Sequence, residues 1–85
     1  MLPVICVVRD SASSCYMRPF YMVSEGMALR SFQDEVNRDA DDNMMFRHPE
    51  DFELFSLGTF DDSDASFDLH RVPKSLATAK QMKLA

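Results

Sequence analysis

Residue types that carry out chemistry are few in this chain, and their spacing decides what they can do. The cysteines are Cys6 and Cys15, and the histidines are His48 and His70. Tetrahedral zinc sites draw on closely spaced Cys and His pairs, and Cys-x8-Cys with distant lone histidines matches no such pattern. The run Asp61-Asp62-Ser63-Asp64-Ala65-Ser66 opens like a calcium loop when counted from Asp62. It then fails, because Phe67 stands where a glycine must turn and Pro73 where a bidentate Glu is needed. A solvated hairpin loop is the expectation there. His48 with Glu50-Asp51 offers an acid–base group but no paired nucleophile, and Ser13 and Ser14 lack a base at a diagnostic spacing. Gly26 and Gly58 are the only glycines, so no phosphate-cradling loop is present. No catalytic residue, metal ligand set or cofactor site is expected. The chain is read as one that acts by binding.

Binding chemistry is better represented. Residues 1–69 hold all fourteen acids against five arginines, whereas 70–85 hold Arg71, Lys74, Lys80 and Lys83 and no acid. An acidic body with a basic tail is a meaningful asymmetry. The body repels phosphate backbones, so these four cations are the candidate nucleic-acid contacts, with a merely solubilising terminus as the plainer reading. Tyr16, Phe20 and Tyr21 lie beside Arg9 and Arg18 and are suited either to stacking bases or to filling a core. Met44-Met45 reads equally as an adaptable binding surface or as core filling.

Length and composition set the frame in which these residues must be held. Eighty-five residues suffice for one domain with one small core. Met1-Leu2-Pro3-Val4 carries no basic lead-in, and its apolar run stops at Arg9-Asp10, too soon for a signal segment or a bilayer span. Residence in the cell that makes the protein is expected, with two free thiols and no membrane partner.

Val4–Val8 has apolar residues on both parities, as a strand covered on both faces does. A polar loop over 10–15 follows, then a short edge strand or extended segment over 16–23 that contains Pro19. Ser24 is a good N-cap and Glu25 suits the positive helix end. Ala28, Leu29, Phe32 and Val36 then form one apolar stripe, with Arg30, Asp34 and Arg38 spaced for surface pairing opposite it. The pattern predicts one principal helix over about 24–39, stopping in Asp39-Ala40-Asp41-Asp42-Asn43. Phe52–Phe60 again has apolar residues on both parities, and Ser66–Val72 alternates, so the two read as a hairpin. The expected fold is α+β: a small, mainly antiparallel sheet of about four strands with the helix on one face. The expected domain is 1–72, with 73–85 as a basic tail, weakly helical or frayed.

Arg18-Pro19-Phe20, Ser24-Glu25-Gly26-Met27-Ala28, Asp34-Glu35-Val36-Asn37-Arg38, His48-Pro49-Glu50-Asp51-Phe52 and Leu57-Gly58-Thr59-Phe60-Asp61-Asp62 resemble, in order and spacing, a known family. It is the small nonstructural protein of gokushoviruses, single-stranded DNA phages of the Microviridae. The resemblance implies a protein of the host bacterial cytoplasm, absent from the virion and linked by genome position to viral single-stranded DNA synthesis or DNA packaging. It implies no catalytic residues. Single-stranded DNA through the basic tail, phage replication or capsid proteins, and a second copy of the chain are the expected partners. The rival reading is an assembly or scaffolding adaptor, or a host-directed protein, that never touches DNA. The second copy follows from counting faces: two strands apolar on both sides and one helix leave a sheet face uncovered. Phe55 and Leu57 are its candidate interface residues, and a two-fold dimer is the expected state.

Overall fold

A computed structural model describes residues 2–84, so Met1 and the last residue of the expected tail lie outside it. The fold is α+β. Strand β1 (Val4–Asp10) lies at the centre, flanked on one side by β2 (Cys15–Tyr16) and β3 (Phe20–Met22) and on the other by β4 (Phe52–Asp61). β5 (Ser66–Thr78) pairs with β4 and ends the sheet, and every pairing is antiparallel. Helix α1 (Glu25–Val36) covers one face. Two single-turn helices, α2 (Met44–Arg47) and α3 (Ala79–Met82), and a 3-10 turn over Pro49–Asp51 close its far end.

The core follows strand alternation. Val4, Cys6 and Val8 of β1 and Phe52 and Leu54 of β4 face Ala28, Phe32 and Val36 of α1. Phe20, Met22, Leu29 and Met45 fill the margin of this layer. Ser24 caps α1 by accepting the Met27 N–H, as its position predicts. The helix ends at Val36, three residues before the expected end. Asn37 donates its backbone and side-chain N–H groups to Gln33 O, and Asn43 Nδ2 donates to Glu35 O and Arg38 O. Two asparagines thus take carbonyls that the helix end leaves open. Because the chain has left the helix by Arg38, that guanidinium pairs with Glu35 at 2.8 Å rather than with Asp34.

Three expectations are corrected. The segment 16–23 is two short strands, broken at 17–19 around Pro19, each paired to a different part of β1. The tail expected from residue 73 begins inside β5, which runs on through Pro73 to Thr78. An edge strand tolerates a proline whose missing N–H would point to solvent. The remainder folds back: Thr78 caps α3 in a capping box with Gln81, Ala79 is fully buried, and Asn37 Nδ2 donates to Met82 O while its Oδ1 accepts the Leu84 N–H. Third, β4 does not read as dry on both faces. Its residues alternate between buried and half-buried from Phe52 to Thr59.

Gly58 makes the hairpin possible. Its φ is 141°, and a Cβ there would lie 2.1 Å from Asp68 O and 2.7 Å from Leu69 Cα. The pairing register shifts on both sides of this region, between Ile5 and Cys6 on β1 and between Ser56 and Gly58 on β4. Such bulges change which side chains face which side. Here they bring Phe60 onto the face opposite α1, beside Phe67.

Candidate nucleic-acid interface

The face opposite α1 starts from two small side chains on the central strand. Ile5 and Val7 are only 4% and 1% exposed, although no helix covers them. Their cover comes from aromatic rings on the neighbouring strands. Tyr21 sits opposite Ile5 on β3, and its ring meets the Phe60 ring of β4 edge-on, 5.9 Å between centroids. Tyr16 of β2 meets Phe55 of β4 in the same way at 5.8 Å. In each pair the rings come from the two strands that flank β1, so they lean over it. Phe67 of β5 extends the row, with its centroid 5.1 Å from that of Phe60. Edge-on pairs of this kind contribute about 0.5–1.5 kcal/mol each beyond the area they bury.

The rings cover the central strand and stay open to solvent themselves. Tyr16 is 49% exposed, Tyr21 56%, Phe67 56% and Leu69 60%. The Arg9 guanidinium lies over the Tyr16 ring, 5.8 Å from its centroid. Arg18 falls between Tyr16 and Tyr21 in the chain, and Arg71 lies two residues beyond Leu69 on β5. The acids lie mostly elsewhere. Glu25, Asp34 and Glu35 are on α1, Asp39, Asp41 and Asp42 follow it, and Asp61, Asp62 and Asp64 sit at the β4–β5 turn. Glu53 is the acid on the aromatic side of β4, and its carboxylate accepts the Ser75 hydroxyl at 2.5 Å.

The expected phosphate contacts are not brought together. Lys74 is paired with Glu25 at 3.3 Å, and Lys83 donates to Phe46 O at 3.0 Å with its ammonium 3.3 Å from the Phe46 ring centroid. Lys80 is exposed on α3 and Arg71 is exposed on β5. Phe55 and Leu57 are half-buried rather than bare, Phe55 beneath Tyr16. The sequence did flag Tyr16 and Tyr21 beside Arg9. It missed Phe60 and Phe67 as their neighbours, because the bulge at Gly58 inverts the parity from which their facing would be read.

The other groups resolve plainly. Asp61 Oδ1 accepts from Ser63 N and Oγ, and Asp64 Oδ1 from Ser66 N and Oγ. The β4–β5 turn is thus a self-bonded loop whose two carboxylates are held below their ordinary range by the serine hydrogen bonds. Asp62 also has an interaction of its own. His48, Glu50 and Asp51 bring three donor atoms within 4.8 Å of one another at the surface, the one such group among the described residues. Cys6 is buried, which pushes its thiol up to about 11, with Glu25 adding to the effect. Cys15 is exposed and also free.

With the fold in place, the chain can be compared with known proteins. The model of the Phage ORF5 protein family matches residues 4–82. The chain belongs to that family. The match takes in every element of the fold of this ORF5-family protein, from β1 to α3, and makes it a phage protein. No curated protein and no solved structure matches it.

Proposed function

We propose that this phage accessory protein is of the gokushovirus nonstructural type and binds viral single-stranded DNA on its aromatic sheet face, in single-stranded DNA synthesis or packaging. It works in the host bacterial cytoplasm and carries out no chemistry of its own. The observation that supports this reading is the solvent-facing row of Tyr16, Tyr21 and Phe67, with Arg9 over the first ring. Every base has a π-face, so exposed rings across a sheet hold a single strand with little regard to sequence. A duplex keeps its bases stacked internally and offers such rings much less. The acids of α1 and of the segment after it lie on the other side of the sheet, which lets an acidic protein approach a phosphate chain from this side.

The reading includes a second copy of the chain. β5 ends the sheet, so its outer edge is unpaired among the described residues, and Phe67, Leu69 and Val72 are exposed on it. A long exposed apolar edge is a template for another strand. Two-fold pairing of β5 with β5 would join two aromatic faces into one longer platform.

The test is fluorescence polarisation with a labelled oligothymidylate and with a duplex of equal length. Single-strand binding is expected, with a log–log salt slope of roughly −2 for three cations. Tyr21→Ala and Phe67→Ala are each expected to weaken it by about 1–3 kcal/mol, since each removes one stacking ring. Circular dichroism of each variant checks that the fold is kept. No binding at low salt, or equal preference for duplex, overturns the reading.

A further inference from the structure

Between α1 and the open β2–β3 side of the sheet lie two adjoining cavities of about 600 and 360 Å³, which share Glu35, Arg38 and Met45 as lining residues. Together they form one continuous groove. Its floor is apolar, with Phe20 and Phe32 in the larger cavity and Phe52, Met17 and Met44 in the smaller. Thioether side chains rotate freely and polarise easily, so a methionine-lined surface adapts to varied apolar partners. The rim is acidic: Asp34 and Glu35 line one cavity and Asp10, Glu35 and Asp42 the other. Arg38 is the one cation in the lining among the described residues, and it and Glu35 offset each other through three hydrogen bonds, which leaves Asp10, Asp34 and Asp42 as the carboxylates that make the rim acidic.

We propose that this groove docks a basic amphipathic helical segment of a partner protein. An apolar floor takes residues spaced i, i+3, i+4 and i+7 on one helix face, and the carboxylate rim takes Lys and Arg beside them. Nucleic acid is excluded by the same rim, which repels phosphate. A second copy of this chain is a poor occupant, because Lys74 and Lys83 of its basic segment are already engaged within the fold. Most of the groove lies on the α1 side of the sheet and most of the aromatic row on the other; of the row, Tyr16 alone borders both, and Tyr21, which lines neither cavity, tells this inference apart from DNA binding.

The probe is a dye-labelled 14-residue Leu–Lys peptide with an apolar helical stripe. Its controls are a permuted peptide of the same composition without the stripe and a Leu–Glu peptide with it. The striped basic peptide is expected to saturate, with the permuted one at least tenfold weaker and the Leu–Glu one silent. In spectra of methyl-labelled methionine, Met17, Met44 and Met45 shift on binding, while Met27, exposed on α1 outside both cavities, stays in place. Asp34→Asn with Asp42→Asn, both at the rim, is expected to weaken binding several-fold, and Tyr21→Ala to leave it unchanged. Equal binding of the permuted peptide would reduce the effect to attraction between net charges and overturn the proposal. Shifts that bypass the three groove methionines would overturn it as well.

Discussion

Cys6 and Cys15 are the same residue type in opposite surroundings, and their reactivities separate accordingly. A thiolate is the attacking species, so burial that raises the Cys6 thiol to about 11 makes it inert near neutrality. In the native protein a maleimide is expected to modify Cys15 alone, and mass spectrometry in denaturant should then find Cys6 free to react. Native labelling of Cys6 at the Cys15 rate would mean that β1 opens readily. Asp61 and Asp64 carry a second residue-scale prediction. Their folded pKa values lie below the unfolded value of about 3.9, so their contribution to stability is present above that pH and is lost as pH falls through the folded values. Carboxyl NMR titration should place both midpoints below ordinary aspartate, and Ser63→Ala should bring Asp61 back up without moving Asp64. Neither serine's role was legible in the sequence, where Asp61–Ser66 read as a solvated hairpin loop without its internal hydrogen bonds.

The two glycines separate at the scale of elements. Gly58 holds a positive φ with β5 backbone packed against its missing side chain, so Gly58→Ala is expected to destabilise by at least the roughly 1–3 kcal/mol such a conformation costs, plus the clash. Gly26 lies in the first turn of α1, where an added Cβ would meet Ser24 Oγ at an ordinary contact distance of 3.8 Å. Gly26→Ala is expected to stabilise by about 0.4–1 kcal/mol. Chemical denaturation of both variants measures the contrast, and equal effects would contradict it. Helix α1 was legible because its apolar stripe and Ser24 cap agree, and β1 because five consecutive residues are apolar enough to be buried on both sides. β5 was legible only to Val72. Pro73 is a stop signal in most contexts, and nothing local reveals that this strand is an edge whose second half brings Ala77 and Ala79 into the core. Removal of residues 74–85 is therefore expected to unfold the domain rather than trim a tail, as loss of the cooperative thermal transition would show.

For the whole molecule, the face-counting premise holds for β1 and not for β4, whose residues alternate between buried and half-buried. β1 is indeed buried on both sides, yet the second cover is a set of rings from flanking strands and not another layer. The exposed apolar surface moves outward, to the rings themselves and to β5. A dimer joined through β5 should sediment at about twice the chain mass at micromolar concentration, with a melting temperature that rises with concentration. Leu69→Lys, on an exposed edge position, is expected to shift it to monomer while the fold is kept. A monomer at every concentration would leave the β5 edge to some other strand. Charge tells a parallel story at this scale. The asymmetry read along the sequence does not persist in space, because Lys74 reaches Glu25 of α1 and Lys83 the Phe46 carbonyl, so the basic segment folds back onto the acidic side.

Asn37 ties the end of α1 to Met82 and Leu84, residues 45 and 47 positions later. A ribosome delivers the helix long before it delivers the residues that seal it, and β4, which pairs with β1, also arrives late. The emerging chain therefore packs in two stages: β1 is on hand to meet the apolar stripe of α1 as the helix forms, while the cover from β4 and the seal at Asn37 come only with later residues. Chains truncated before residue 78 should be digested faster than the chain of 85 residues, and full resistance should return only when residues 79–84 are included.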